Sequence, residues 1–258
     1  MAKVRAVVVG VSTMGQQIGS ELLLLGFDVT MVGRTTSTNP IGAMQSYTAR
    51  RAPPAMYENY RYVDEIELLP DDAELVIEAV SENLAVKRAV LERIEENVSP
   101  TCVIATNTSS IDPYHLQTAI RDRNRFIAMH FFNPTWAMKF VEVAPLNETS
   151  VEVVKRIGNL CLNMKMEFQI VQPNPGFVVN RLLAALVKEA KTIHRDFEVS
   201  KKTIDKCCDA VLHCKPFDIE ELVTPGLMAI MLNNLTHEWD DAQDWAETLV
   251  EFLEGDDS

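Results

Sequence analysis

The sequence predicts an α/β fold, a Rossmann-type doubly wound sheet followed by a small all-helical domain. Three observations predict it. Apolar, β-branched runs of strand length alternate with helical periodicity over about the first 170 residues, the pattern of a parallel sheet with crossover helices. A glycine turn, Gly10-Val11-Ser12-Thr13-Met14-Gly15, joins the first strand directly to the first helix. After Gln172-Pro173-Asn174-Pro175-Gly176, a stretch suited to a hinge, only helical periodicity remains. The expected domains are 1–173 and 174–258.

Each element has its own signal. KVRAVVV (3–9) is an apolar run fit for a buried parallel strand. Behind the turn, Ile18, Leu22 and Leu25 keep helical spacing, and Gly26 ends the helix. DVTMV (28–32) is the second strand and completes one β-α-β unit. Residues 34–60 are the least regular, with a polar loop up to Pro40, a short helix around 41–51 and an irregular stretch holding Pro53-Pro54. ELVIEAV (74–80) is a strand, and 84–97 a helix with Glu, Lys and Arg on its outer face. CVIAT (102–106) is a strand ending in the polar turn Asn107-Thr108-Ser109-Ser110. FIAMHFF (126–132), FVEVA (140–144) and EFQIV (167–171) complete the strands, with a helix at 149–164. Past the hinge, helices are expected at 177–195, 200–213, 217–222, 225–235 and 239–254.

Composition narrows the class. At 47% hydrophobic, 24% charged and 7% aromatic, the 258 residues suit a globular protein and exclude a disordered, collagenous or disulfide-built chain. No apolar run reaches the roughly 18 residues of a membrane-spanning helix. The first apolar run passes into the glycine turn with no A-x-A-like cleavage site, so it reads as a strand and not a signal peptide. The five cysteines are then expected as reduced thiols in the cytoplasm. A net charge of −13 argues against non-specific binding to a nucleic-acid backbone. The charge is uneven: through Arg61 there are six basic and three acidic residues, so a phosphorylated ligand is tolerated best there. From Glu238 to Ser258 there are nine acidic residues and no basic one, the solvated face of a last helix.

The glycine turn is a modified G-x-G-x-x-G, with Gly10, Ser12 and Gly15 at the three key places. Free N–H groups and the dipole at a helix start favour an anion. Gly10, Ser12, Thr13, Met14 and Gly15 are therefore candidate cofactor contacts. Serine at the second place either crowds a phosphate or donates to it. The second strand ends in Gly33-Arg34-Thr35-Thr36 and offers no carboxylate for a ribose diol. A guanidinium suits a 2′-phosphate, so NADP is favoured over NAD, with Arg34 as the contact and Thr35 or Thr36 assisting.

Four further motifs stand in order behind that turn. They are Glu78-Ala79-Val80-Ser81-Glu82-Asn83-Leu84, Asn107-Thr108-Ser109-Ser110, His130-Phe131-Phe132-Asn133-Pro134 with Glu142 beyond, and Pro175-Gly176-Phe177-Val178-Val179-Asn180-Arg181. Ser109 and His130 are 21 residues apart, and His130 and Glu142 are 12 apart. Together, from residue 4 to about 190, they resemble the 3-hydroxyacyl-CoA dehydrogenase family. The resemblance implies a dinucleotide-binding first domain and a helical second domain for substrate and dimerisation. It implies that His130 is the general base toward a 3-hydroxyl and that Glu142 orients its imidazole. Ser109 and Asn180 would hydrogen-bond substrate oxygens, Asn133 would support the histidine region or the substrate, and Glu82 and Asn107 would lie by the cofactor. The residues make physical sense of this, since removing hydride from an alcohol carbon needs a base that titrates near neutrality.

The departures are in the middle and at the end. The stretch after the second strand is short for a helical hairpin that would hold the adenosine of coenzyme A, and the second domain is short. An acyl chain on a carrier protein would not need that hairpin, with Arg50, Arg51 and Arg61 as the basic docking candidates. The alternatives are a dehydrogenase of a free hydroxy acid or a non-catalytic cofactor-binding protein that kept the fold. Cys207-Cys208 and His213-Cys214 do not have zinc spacing, and no metal is expected.

Overall fold

The structure is a computed structural model and describes residues 4–34, 38–51 and 54–218. The expected helices at 225–235 and 239–254, most of that at 217–222, and Thr35 lie outside the described residues. The elements run β1 (Arg5–Val9), α1 (Thr13–Leu24), β2 (Asp28–Val32), α2 (Ile41–Thr48), β3 (Tyr60–Val63), β4 (Leu75–Glu78), α3 (Leu84–Asn97) and β5 (Val103–Thr106). They continue with α4 (Pro113–Gln117), β6 (Phe126–Phe131), α5 (Thr135–Met138), β7 (Phe140–Pro145), α6 (Val151–Asn163), β8 (Glu167–Ile170), α7 (Val179–Asp196) and α8 (Lys201–Leu212).

The chain divides into two compact units, Met1–Thr108 with Pro113–Pro173, and Ser109–Asp112 with Asn174–Ser258. Ser109–Asp112, read from sequence as part of the first domain, groups with the helical unit.

The first unit is built on one eight-stranded sheet in the order β3-β2-β1-β4-β5-β6-β7-β8. The chain winds outward from β1 in both directions, so the switch point, where ligands bind in such sheets, lies between β1 and β4. β1, β4, β5 and β6 are buried almost throughout, as their unbroken apolar runs require. Two features depart from the sequence reading. Tyr60–Val63 forms an edge strand parallel to β2, starting where the stretch read as irregular ends and not expected from the sequence. Its aromatic and β-branched residues favour a strand, but four residues on an edge give little periodicity. Second, β7 runs antiparallel to β6, and β8 pairs parallel to β7 across α6. A connection of residues 132–139 is too short for the crossover of a dozen or more that a parallel pair needs.

Helix ends follow capping chemistry. Asn83 and Ser150 accept from the N–H groups of Val86 and Val153 and start α3 and α6. In the second unit Ser200 caps α8 through the Thr203 N–H, and Ala190, Ile204 and Phe217 pack together between α7, α8 and the following turn.

Candidate active site

Three backbone segments end at the carboxyl edge of the first unit's sheet. The register aligns Val9 with Glu78, Glu78 with Thr106, and Thr106 with Ala128. His130 therefore sits two residues beyond that line, on the same edge as the glycine turn.

The turn is tight enough to require its glycines. Gly10 has φ +121°, and a Cβ there would come within 2.3 Å of the Ala79 carbonyl oxygen at the end of β4. A Cβ on Gly15 would come within 2.0 Å of the Gly10 oxygen. Ser12 is the N-cap of α1 in extended conformation, but its side chain does not cap the helix. Its Oγ donates instead to the Ala79 carbonyl at 3.2 Å. The hydroxyl is thus drawn to β4, and the first-turn N–H groups of α1 lack a side-chain cap, an arrangement that fits a diphosphate. Thr13 is exposed and Met14 half-buried. Arg34 is exposed just past β2.

Beside the turn lies a buried ionic cluster. Glu78 and Lys87 are both wholly inaccessible to solvent. Lys87 Nζ donates to both Glu78 oxygens at 2.9 and 3.2 Å, to the Val80 carbonyl at 3.3 Å, and lies 3.3 Å from Glu82 Oε2. Glu78 also accepts from the Val80 N–H and the Thr106 hydroxyl, both at 2.7 Å, and Glu82 from the Thr108 hydroxyl at 2.7 Å. Burial works against the ammonium, but the Glu78 and Glu82 carboxylates outweigh it and hold Lys87 above the ordinary lysine value. Sequence reasoning gave Glu82 a role but missed Glu78 and Lys87, assigning the α3 lysine to the outer face. The signal was there: Lys87, Leu91 and Ile94 share the i, i+4, i+7 stripe that α3 buries.

The histidine comes from the β6–β7 hairpin. His130 and Glu142 face each other directly in the antiparallel register, and His130 Nδ1 lies 2.8 Å from Glu142 Oε2. They are 4% and 1% exposed, so the carboxylate is desolvated and committed to the ring. With the carboxylate ionised, Nδ1 is the donor, because an ionised carboxylate only accepts. The Phe132 ring packs on the imidazole with centroids 4.4 Å apart. Asn107 Oδ1 accepts from the Phe131 N–H at 3.0 Å and ties the end of β5 to β6. Asn133 Oδ1 accepts from Gln17 at 2.8 Å.

Ser109 and Asn180 belong to the second unit, where Asn180 Nδ2, in the first turn of α7, donates to the Ser109 carbonyl at 3.2 Å. Cys102 and Cys161 are buried in the core, their thiols pushed up to about 12 chiefly by that burial. Among the described residues no three His, Cys, Asp or Glu side chains gather as a metal ion would need. No helix among them is long and apolar enough to cross a membrane.

Residues 5–172 match the family model described as the NAD binding domain of 3-hydroxyacyl-CoA dehydrogenase. The chain belongs to the 3-hydroxyacyl-CoA dehydrogenase family. It is 36% identical over 134 residues to a probable 3-hydroxyacyl-CoA dehydrogenase of Caenorhabditis elegans, covering 52% of this chain and 43% of that protein. It is 30% identical over 181 residues to a 3-hydroxybutyryl-CoA dehydrogenase of Clostridioides difficile, covering 69% and 64%. The chain thus spans less than half the length of the first relative and under two thirds of the second. The crystal structure of (S)-3-hydroxybutyryl-CoA dehydrogenase from Ralstonia eutropha aligns with a TM-score of 0.89 at 25% identity, over 98% of this chain and 94% of that one. The first unit is therefore the family's NAD-binding domain, with the modified glycine turn at its switch point.

Proposed function

We propose that this chain is an oxidoreductase that transfers hydride between a nicotinamide dinucleotide and the 3-hydroxy/3-oxo carbon of an acyl thioester. The observation that carries the reading is the buried His130–Glu142 pair on the carboxyl edge of a dinucleotide-binding sheet. When bound, the dinucleotide supplies the hydride acceptor, or the donor in reverse. Gly10, Ser12, Thr13, Met14 and Gly15 would hold its diphosphate, with Glu82 and Asn107 beside them. With Nδ1 committed to Glu142, His130 takes the proton of the substrate hydroxyl at Nε2 as the C3–H bond breaks. Glu142 stabilises the imidazolium that results. In the reducing direction the imidazolium returns that proton to the oxygen. We assign Ser109 and Asn180 to the substrate oxygens and Asn133 to support of the histidine region.

Coenzyme A is the carrier we infer. Among the basic docking candidates for a carrier protein, Arg51 is already bound by Glu21 at 2.8 Å and by the Tyr47 carbonyl at 3.2 Å, and only Arg50 and Arg61 remain for that task. The finer cofactor choice is NADP, supported by the cation at Arg34 and by the lack of a carboxylate between Val32 and Asn39. The helical unit is assigned to homodimerisation, and the cytoplasm to the protein, whose five cysteines are thiols.

The test is turnover of a short 3-oxoacyl-CoA with NADPH and with NADH. NADPH should give the larger kcat/KM, and Arg34→Ala should narrow the ratio about tenfold, the scale of one charge-assisted hydrogen bond. A clear NADH preference overturns the NADP assignment alone. His130→Ala should lower kcat by about 10²–10⁴-fold, the usual worth of a positioned base, with dinucleotide affinity nearly unchanged. Dinucleotide binding without turnover of any 3-oxoacyl-CoA would favour the non-catalytic alternative.

A further inference from the structure

Gln17 has no part in the chemistry above, yet it is 3% exposed in the second turn of α1. A buried amide has to place its hydrogen bonds inside the protein, and Gln17 aims both ends at one target. Nε2 donates to Asn133 Oδ1 at 2.8 Å, and Oε1 accepts from the Thr135 N–H at 2.7 Å. Both partners lie in the turn that joins β6 to β7. One helical turn along, Glu21, 4% exposed, accepts from Lys139 Nζ at 3.1 Å and from Arg51. Positions 17 and 21 share one face of α1. They hold the two ends of the hairpin turn, since Asn133 follows His130 by three residues and Lys139 precedes Glu142 by three. The other end of α1 is the glycine turn.

We propose that Gln17 is a positioning residue that fixes the hairpin carrying His130 and Glu142 to the helix whose N-terminus forms the dinucleotide turn. The proposal rests on His130 being the base, as argued under Proposed function. Gln17 is the decisive grip of the two. Its Thr135 partner is 3% exposed, so losing the acceptor orphans a buried N–H. The two cations on Glu21 are 31% and 35% exposed and can turn to water. Small misplacements of a reacting group are costly, about a hundredfold for 1 Å.

The experiment compares Gln17→Met, which keeps the length and loses both hydrogen bonds, with Gln17→Glu, which keeps the acceptor for Thr135 while the Asn133 amide can turn to donate. The readouts are kcat, dinucleotide affinity by fluorescence titration, and the isotope effect with substrate deuterated at C3. Gln17→Met should lower kcat about tenfold to a hundredfold, leave dinucleotide affinity within about twofold, and give an isotope effect no smaller than the parent's. Gln17→Glu should recover most of kcat. Parental kcat in Gln17→Met, or an isotope effect falling toward one, overturns the proposal. Equal losses in Met and Glu variants also overturn it. Should Gln17→Met fail to fold, Gln17→Asn, an amide one methylene short, carries the same prediction, and parental kcat there is equally fatal. His130→Ala is run alongside. If it stays active, the base assignment fails. If it is inactive while Gln17→Met is not, the positioning proposal alone fails.

Discussion

Two buried base–carboxylate clusters stand at the carboxyl edge of the same sheet, and they differ in how the base is held. Lys87 meets two carboxylates and a carbonyl, with its charge reinforced against burial. An ammonium so held keeps its proton across any working pH. His130 faces the Glu142 carboxylate with its Nδ1. An imidazole is the side chain whose charge changes between about pH 5 and 8. Burial and pairing are common to both clusters, so they do not mark the group that does chemistry. What separates them is the kind of base, a buried ammonium held by Glu78 and Glu82 against an imidazole that faces Glu142 across the hairpin.

The sharpest way to break this contrast is to reverse the hydrogen bond at Nδ1. Glu142→Gln should lower kcat by up to about 10⁴-fold, because a neutral amide favours the wrong tautomer. Thermal unfolding should move little, since the amide fits the same space. Parental turnover in this variant would erase the distinction between the clusters.

Lys87→Met should act on the other axis. It leaves the buried Glu78 carboxylate without its cation beside the partly buried Glu82, and removing one partner of a buried pair costs about 3–5 kcal/mol, measurable by urea denaturation. The pH dependence has a definite sign. The folded value of Lys87 is raised, so its stabilisation is fully present below the ordinary lysine value near 10.4 and is lost as pH rises through the folded value. The stabilisation that the parent draws from the Lys87 charge should be lost only in strong alkali, read by urea denaturation of the parent across pH.

Gly10→Ala should lower the melting temperature, the about 1–3 kcal/mol of a strained φ being added to a clash with the Ala79 backbone. It also presses a methyl toward the Ala79 carbonyl, so dinucleotide affinity should fall more than in either variant above. Unchanged affinity would detach the turn from the cofactor.

Much of this was legible in the sequence, and unevenly so. The strands of the sheet's middle announced themselves because burial on both faces leaves an unbroken apolar run, as in Val7, Val8 and Val9. The His130–Glu142 pair was legible only through the family resemblance, since the hairpin that aligns the two was not read from the sequence. Tyr60–Val63 was not, since an edge strand pairs on one side and needs little apolar content. The reversal of β7 could have been found by counting connection length instead of reading periodicity. Lys87 was obscured by its charge, which suggests solvent unless the helical stripe is traced through it. Gln17 was invisible for another reason. Nothing in a sequence says which residue over a hundred positions away will receive an amide, and Asn133 and Thr135 are that far off.

The hairpin has a consequence for how this molecule can change over time. The proposed acid–base pair, His130 and Glu142, is written in one contiguous stretch, Phe126 to Pro145, whose closure depends on a short local loop. The glycine turn, by contrast, sets Gly10 against Ala79, about seventy residues further along the chain, and they meet only when β1 pairs with β4. Lengthening or trimming the chain around α2 and β3 leaves the spacing of His130 and Glu142 along the chain unchanged.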